Sequence, residues 1–176
     1  DLNLCPRYSA LVFDNVTVKP SPEWLQCRLT AIGLNPINNI VDMTNFVMSE
    51  LAQPMHAFDL DRIQGGLLRV RRAREGEPLT TLDGKQRTLV ADDLVIEDAR
   101  GAQSLAGTMG GADTEVSSST TNILLESANF DFRSIRRTMK ALNLPSESSV
   151  RFSKGIHPET VRPAAERAAE LMRQHA

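Results

Sequence analysis

Two hydrophobic periodicities divide this chain of 176 residues, and they constrain its fold more than any single motif does. Near both ends, apolar residues recur at three- and four-residue spacing, which is typical of helices that bury one face. A Ser-Pro pair opens the first such segment, so Ser21 is expected to cap a helix that has Pro22 in its first turn and ends at Gly33. The same spacing predicts further helices over 44–51, from 131 onward and over 159–174.

The middle of the chain has short apolar or alternating stretches bounded by turn residues, which is the pattern of antiparallel strands. Asp83-Gly84 lies between two such stretches and predicts a β-hairpin. In one stretch, alternation places Val70 inward and Arg71 outward. The strands are predicted over 9–19, 67–73, 94–96, 104–106 and 122–128. The fold class is therefore expected to be α+β: a single domain over 1–176, with central β-hairpins and sheets flanked by N- and C-terminal helices.

Charge and composition exclude several classes of function. Lys and Arg total 20 against 22 Asp and Glu, a net charge of -2, which does not suit a domain that grips a nucleic-acid backbone by charge alone. A site that receives only a nucleic-acid end remains possible. No apolar run approaches the roughly 20 residues of a membrane span. The chain opens on Asp1 rather than Met, which suggests a piece of a longer protein.

The cysteines and histidines do not have the spacing of a metal site. Cys5 and Cys27 lie far apart and the three histidines are scattered, so no metal is expected. Two cysteines in a chain of this size favour a reducing, cytoplasmic setting, with one disulfide as the open alternative.

Two polar clusters are candidates for chemistry. His56 lies in the string QPMHAFD, where it could be a general base, hold a water or bind a ligand; a histidine satisfied by local backbone groups is the more common case. In the string VDMTN, Asp42 or Thr44 is expected to cap the helix that follows, whereas the amide of Asn45 could reach a ligand.

Two further features have a structural and a functional interpretation. Glycines in the loop 107–111 allow backbone N–H groups to approach a ligand, or they form a tight turn. Glu126 interrupts an apolar strand and would require a partner if buried; from the residues alone, exposure to solvent is favoured. Basic clusters at 69–74 and 133–140 are more often solvated faces than phosphate contacts.

Seven strings occur in order along the chain and together carry a family resemblance. They are CPRY (5–8), SPEWLQ (21–26), INNIVDMTNF (37–46), QPMHAFDLDRI (53–63), AGTMGG (106–111), NILLESANFD (122–131) and RFSKG (151–155). This ordered set resembles the editing domain of the β chain of bacterial phenylalanyl-tRNA synthetases, from about Cys5 to the end of the chain. Editing means hydrolysis of an amino acid that was attached to the wrong tRNA.

The resemblance implies a module that hydrolyses the ester of tyrosine joined to tRNA(Phe). A pocket for phenylalanine rejects an analogue with one added hydroxyl by only ~10²-fold, so a second, hydrolytic site is needed. The implied partners are the tRNA(Phe) acceptor end carrying tyrosine, the α subunit and the other β-chain domains, with no membrane. No cofactor is implied for this module, since ATP and Mg²⁺ are used elsewhere in the parent enzyme. The alternative is a non-editing module that places subunits or binds the acceptor end.

The resemblance also assigns residues. Glu126 matches the position whose carboxyl would contact the tyrosine phenol, and His56 the histidine that would position the ester or the attacking water; these two are the implied catalytic residues. Gly107 and Gly110 match a glycine loop that walls the pocket and places N–H donors near the ester oxygen.

Further positions are implied to bind substrate. Thr44 and Asn45 match a strip that lines the pocket, and Ser146 and Ser148 match a later stretch that borders it. The sequence departs from the family pattern at Ser148, where alanine is frequent, which leaves the fine specificity open. Ala52 stands where glycine is frequent, and this departure is expected to be structural.

Overall fold

The computed structural model describes residues 2–176; Asp1 lies outside the described residues. Helices occur at both ends and antiparallel sheets in the middle, so the predicted α+β class is confirmed. The helices are α1 (Glu23–Ala31), α2 (Asn39–Leu51), α3 (Phe132–Ala141), α4 (Glu147–Phe152) and α5 (Val161–His175). The strands are β1 (Arg7–Phe13), β2 (Met55–Asp59), β3 (Arg69–Arg72), β4 (Pro78–Thr80), β5 (Gln86–Thr88), β6 (Leu94–Glu97), β7 (Ala102–Leu105), β8 (Met109–Gly110) and β9 (Ile123–Asn129).

Strand β9 lies at the centre of a three-stranded antiparallel sheet with the order β1-β9-β2. Its alternating side chains separate two layers of core. Ile123 and Leu125 pack with α1, α2 and α5 on one face. Leu124 and Ala128 face the other way, toward a second sheet with the order β3-β6-β7-β8. Glu126 has the same parity as Leu124 and therefore lies on the face toward the second sheet.

Helix α2 begins five residues before the predicted start at 44. Asn38 caps it, since its side chain accepts a hydrogen bond from the N–H of Val41 at 3.0 Å. The expectation that Asp42 or Thr44 caps this helix is therefore wrong. Asp42 is fully buried and instead accepts hydrogen bonds from the Ser21 hydroxyl and the Ile37 N–H.

The same contact explains why Ser21 does not cap α1. Pro22 takes the capping position there, and no side chain caps the helix. Helix α2 is followed by Ala52, whose φ of 57° lies in the left-handed region that glycine adopts without a Cβ penalty. The expected structural reason for this departure from the family pattern is therefore the backbone conformation at Ala52.

Arg71 is less exposed than its predicted outward position on strand β3 suggests. Its guanidinium is only 16% exposed and lies between the carboxylates of Glu77 and Glu97. The hydrogen bonds to Glu77, and after them the bond to Glu97, raise the pKa of Arg71, whereas its burial opposes this shift. The alternation of apolar and basic residues could not predict this burial, because Glu77 lies in the segment after β3 and Glu97 lies on β6.

Three expectations concern a disulfide, a membrane-spanning helix and a metal site. Both Cys5 and Cys27 are free, which decides against a disulfide. None of the helices within residues 2–176 combines the length and apolar character that crossing a membrane requires. The same part of the chain has no group of three or more His, Cys, Asp or Glu side chains placed to hold a metal ion.

Asn39 connects both ends of the helical layer. Its fully buried side chain accepts from the Lys19 N–H and donates to the carbonyls of Thr17 and His175, each at 3.0 Å. We expect Asn39→Ala to lower the free energy of unfolding by ~2–4 kcal/mol, because three backbone groups lose their hydrogen bonds to this buried side chain. Urea unfolding measures this, with Asn35→Ala at an exposed position as the control. Equal stability of both variants would contradict the assignment.

Candidate functional site

A cavity of about 430 Å³ opens between α2, β2, the β7–β8 turn and α4. Its size falls within the range of small-molecule sites, ~300–1,000 Å³. All eight residues that the sequence suggested for the site line this one cavity: Thr44, Asn45, His56, Gly107, Gly110, Glu126, Ser146 and Ser148.

Strand register brings Glu126 and His56 together. The two residues are directly opposite each other on β9 and β2, so both side chains lie on the face that turns away from the helical layer. Glu126 is 5% exposed, so the solvent-facing interpretation that its strand alone favoured is wrong.

Among residues 2–176, the Glu126 carboxyl has one hydrogen-bond partner. The hydroxyl of Tyr8 on β1 donates a hydrogen bond to Oε2 at 3.2 Å. Burial raises the pKa of Glu126 from its ordinary 4.5 to about 8, and the Tyr8 hydrogen bond opposes this shift in part. At neutral pH the site therefore contains a largely uncharged carboxylic acid, which can both donate and accept hydrogen bonds.

The His56 imidazole has an unsatisfied atom. Its Nε2 is buried and has no hydrogen-bond partner in the part of the chain that the structure describes, and the ring lies edge-on to Phe58 with 4.4 Å between centroids. Desolvation lowers the pKa of His56 from 6.5 to about 4, so the ring is neutral at pH 7. An orphaned buried nitrogen costs ~1–3 kcal/mol, and at the wall of a cavity it is a candidate contact for a ligand or a water.

Gly110 leaves the space that the imidazole occupies. A Cβ at this position would lie 2.5 Å from Cε1 and 2.8 Å from Nε2 of His56. Gly107 instead has φ +63°, and a Cβ there would meet the rings of Phe130 and Phe152 at 2.9 and 3.0 Å. The two glycines thus serve different needs: one leaves room for His56, and the other turns the loop tightly against the core.

Residues on α2 contribute one free polar group to the cavity. The Thr44 hydroxyl donates to the Val41 carbonyl at 2.7 Å, so its donor is already used. The half-buried Asn45 amide has no hydrogen-bond partner within residues 2–176 and is available to a ligand.

Helix α4, which the sequence analysis missed, holds the glycine loop from the opposite side. Ser146 caps the helix and its hydroxyl donates to the Thr108 carbonyl at 2.6 Å, while the Ser148 hydroxyl donates to the Gly107 carbonyl at 3.1 Å. The reciprocal bonds between Ser146 and Ser149 form a capping box, and this Ser-x-x-Ser spacing was the signal that could have revealed the helix. Both hydroxyls therefore brace the loop.

The cavity is lined by acidic but not by basic side chains. Glu115 and Glu147 join Glu126 in its wall, and among the residues that the structure describes, no Lys or Arg lines it. Glu147 is paired with Arg151, whereas Glu115 is exposed and has no ion pair in the described chain. A phosphate would find no charge partner inside this cavity.

Comparison with known proteins identifies the family. The sequence pattern of the B3/4 domain matches residues 4–176, and the chain belongs to this family. It is 56% identical over 174 residues to the phenylalanine–tRNA ligase beta subunit of Solibacter usitatus, covering 99% of this chain and 23% of that protein. The corresponding subunit of Moorella thermoacetica is 54% identical over 170 residues, covering 97% of this chain and 21% of that protein.

A third relative agrees with this assignment, and a solved structure has the same fold. The phenylalanine–tRNA ligase beta subunit of Streptococcus pneumoniae is 52% identical over 167 residues, covering 95% and 21% of the two chains. The chain thus spans less than a quarter of each of these relatives. A crystal structure of an N-terminal fragment of the phenylalanyl-tRNA synthetase beta subunit from Pyrococcus horikoshii has the same fold, with a TM-score of 0.54 and 13% identity over 84% of this chain and 46% of that one.

The two titrating groups of the cavity predict how stability depends on pH. Protonation of Glu126 stabilises the folded chain, because the pKa of its carboxyl is about 8 in the folded chain and 4.5 ordinarily. This contribution to the free energy of unfolding is fully present below pH 4.5 and is lost as the pH rises through about 8. Protonation of His56 favours the unfolded chain, but only below its ordinary pKa of 6.5. Between pH 6.5 and 8, Glu126 therefore acts alone of the two.

We expect the free energy of unfolding to fall across this window by at most ~1.4 kcal/mol per pH unit. Urea unfolding at several pH values measures the slope, and Glu126→Gln is expected to abolish it. A slope of the same size in Glu126→Gln would show that another group is responsible.

Proposed function

We propose that this chain is the proofreading module of a phenylalanine–tRNA ligase beta subunit and that it hydrolyses the ester of Tyr-tRNA(Phe). The observation that carries the proposal is the buried carboxyl of Glu126, which faces a ligand-sized cavity beside the unpartnered Nε2 of His56. Family membership and the beta-subunit relatives support the setting in a synthetase.

The carboxyl explains selection of tyrosine over phenylalanine. A tyrosine phenol that reaches Glu126 forms a hydrogen bond, whereas a phenylalanine ring leaves the buried carboxyl without that partner. Leaving a buried polar group unsatisfied costs ~1–3 kcal/mol, which is ~5- to 150-fold in relative affinity. The site therefore accepts tyrosine, which the phenylalanine pocket of the aminoacylation site rejects poorly.

In the proposed reaction a water attacks the ester carbon. The water oxygen bonds to that carbon, the bond from the carbon to the ribose oxygen breaks, and one water proton passes to the leaving ribose oxygen. His56 has a lowered pKa of about 4, so it acts by orienting the water through Nε2 more than as a strong base. The ester is already activated, and orientation of the water supplies much of the acceleration.

The charge of the cavity is consistent with this substrate. An aminoacyl group presents a neutral ring, an ester and an ammonium, and the acidic wall suits the ammonium better than a phosphate. The tRNA phosphates then lie outside the cavity, and the α subunit and the rest of the beta chain deliver the acceptor end. In this proposal ATP and Mg²⁺ serve the parent enzyme elsewhere, and the reaction takes place in the cytoplasm.

Hydrolysis by the parent synthetase tests the proposal. We expect His56→Ala and Glu126→Ala each to slow the release of tyrosine from mischarged tRNA(Phe) by at least ~10-fold, with aminoacylation by phenylalanine unchanged. Glu166→Ala, at an exposed position of α5, serves as the control. Unchanged hydrolysis in both cavity variants would instead support the alternative, a non-editing module that places subunits or binds the acceptor end.

The neighbouring glycines provide a second test. Gly110→Ala places a methyl group against the flexible His56 ring, so we expect a folded protein with at least ~10-fold slower hydrolysis. Gly111→Ala places it 2.3 Å from the Gln103 carbonyl oxygen, and we expect a loss of thermal stability. Full activity in Gly110→Ala would separate His56 from the reaction.

A further inference from the structure

Tyr8 is the only tyrosine in the chain, and neither its motif nor its strand predicted a role for it. It lies on β1 opposite Ala128, two residues along β9 from Glu126 and on the same face of the sheet. This diagonal placement allows its hydroxyl to reach Oε2 of Glu126 at 3.2 Å. An internal phenol thus already contacts the carboxyl that the proposed function offers to a second phenol.

The two oxygens of Glu126 differ in what they contact. Oε2 accepts from Tyr8, whereas Oε1 has no hydrogen bond to any residue that the structure describes. His56 lies directly across the strand pair, yet its Nε2 has no partner and so does not bond to the carboxyl. Since Glu126 lines the cavity, Oε1 is the oxygen left for a ligand.

We propose that Tyr8 is the positioning residue of the cavity: its hydroxyl holds Oε2 so that Glu126 presents Oε1 alone to the ligand phenol. This inference rests on the proposed function for the identity of the ligand. When Glu126 is protonated, the Tyr8 bond occupies Oε2 as an acceptor, so the acid proton is on Oε1 and is donated to the phenol oxygen. When Glu126 is ionised, Oε1 accepts from the phenol.

The groups around Glu126 leave Tyr8 as its only hydrogen-bonded neighbour in the described structure. Cys5 and Tyr8 approach from the β1 side, and burial raises the pKa of both, so neither ionises near neutral pH. His56 approaches from β2 as a neutral ring. The remaining charges in the cavity wall are the carboxylates of Glu115 and Glu147. Loss of the Tyr8 hydroxyl therefore removes the one interaction that favours the ionised carboxyl.

Nuclear magnetic resonance of the unliganded chain provides the first arm of the test. With a single tyrosine, a ¹³Cζ tyrosine label gives one signal, and we expect this signal to titrate with the midpoint of Glu126, near pH 8. The titration should disappear in Glu126→Gln. In Tyr8→Phe, which keeps the ring packing, the Cδ signal of Glu126 should titrate at a higher pH than in the wild type.

Binding of two probes provides the second arm. Tyrosinamide and phenylalaninamide differ only in the phenol hydroxyl, and their affinities at pH 6.5 are compared by calorimetry in the same chain. We expect Tyr8→Phe to reduce the preference for tyrosinamide by about 5-fold or more, the worth of one hydrogen bond. Trp24→Phe, an aromatic change on the helical layer outside the cavity, is the matched control and should keep the wild-type preference.

Each result decides a different claim. The role of Tyr8 is overturned if its signal does not titrate with Glu126. It is also overturned if the wild type prefers tyrosinamide and Tyr8→Phe keeps the same preference. If the wild type binds both amides equally while the Tyr8 signal still titrates with Glu126, the proposed selection of tyrosine is overturned, and so is the role of Tyr8 in specificity. The contact between Tyr8 and Glu126 would then be structural only. Coupled titration together with a reduced preference supports the inference.

Discussion

A carboxyl group held inside the central strand of a sheet is the constraint on which the site depends. Glu126 is flanked on β9 by residues that bury completely, and it has a neighbouring strand on each side. Its backbone therefore cannot shift to carry the carboxyl into water without breaking two ladders of hydrogen bonds. The chain keeps the acid in a low-dielectric position, where its pKa of about 8 leaves it largely uncharged at neutral pH; in the proposed function this suits it to recognise an uncharged hydroxyl.

The two faces of that sheet differ in function: one packs against the helices and the other lines the cavity. On the helical side, the Ser127 hydroxyl donates to the Val161 carbonyl at the start of α5, and this contact anchors β9 to the helical layer. On the opposite side, the cavity contains an orphaned nitrogen of His56 and an acid with one free oxygen. These are costs to stability, and the helical core supplies the rigidity that makes them tolerable. The site is thus preorganised because one face of a single strand is fully satisfied.

Local patterns predicted the elements of this fold better than its contacts. The strand around Glu126 and the start of α3 near Asp131 were evident from an apolar run and from apolar residues at helical spacing. The start of α2 was not, because Asn38, Asp42 and Thr44 are all plausible caps. Only the tertiary bond from Ser21 to Asp42 decides among them. Propensity ranks such residues, but it does not tell which of them the rest of the chain engages.

The candidate site illustrates the same limit. The family resemblance suggested eight site residues, and all eight line one cavity in the structure. Their contacts, however, differ from the roles that the resemblance implied. Ser146 and Ser148 brace the loop, and Tyr8, which received no role, contacts the central acid. Strand parity places Tyr8 on the same face as Glu126, but its diagonal reach to Glu126 also requires the pairing register of β1 with β9. The hydrophobic pattern fixes which face each strand buries, but a shift of two residues would keep those faces, so the pattern alone does not give the neighbours of Tyr8. In the proposed reaction this register decides specificity, since a shift of one residue would turn Tyr8 to the helical face and leave both carboxyl oxygens free to rotate toward the ligand.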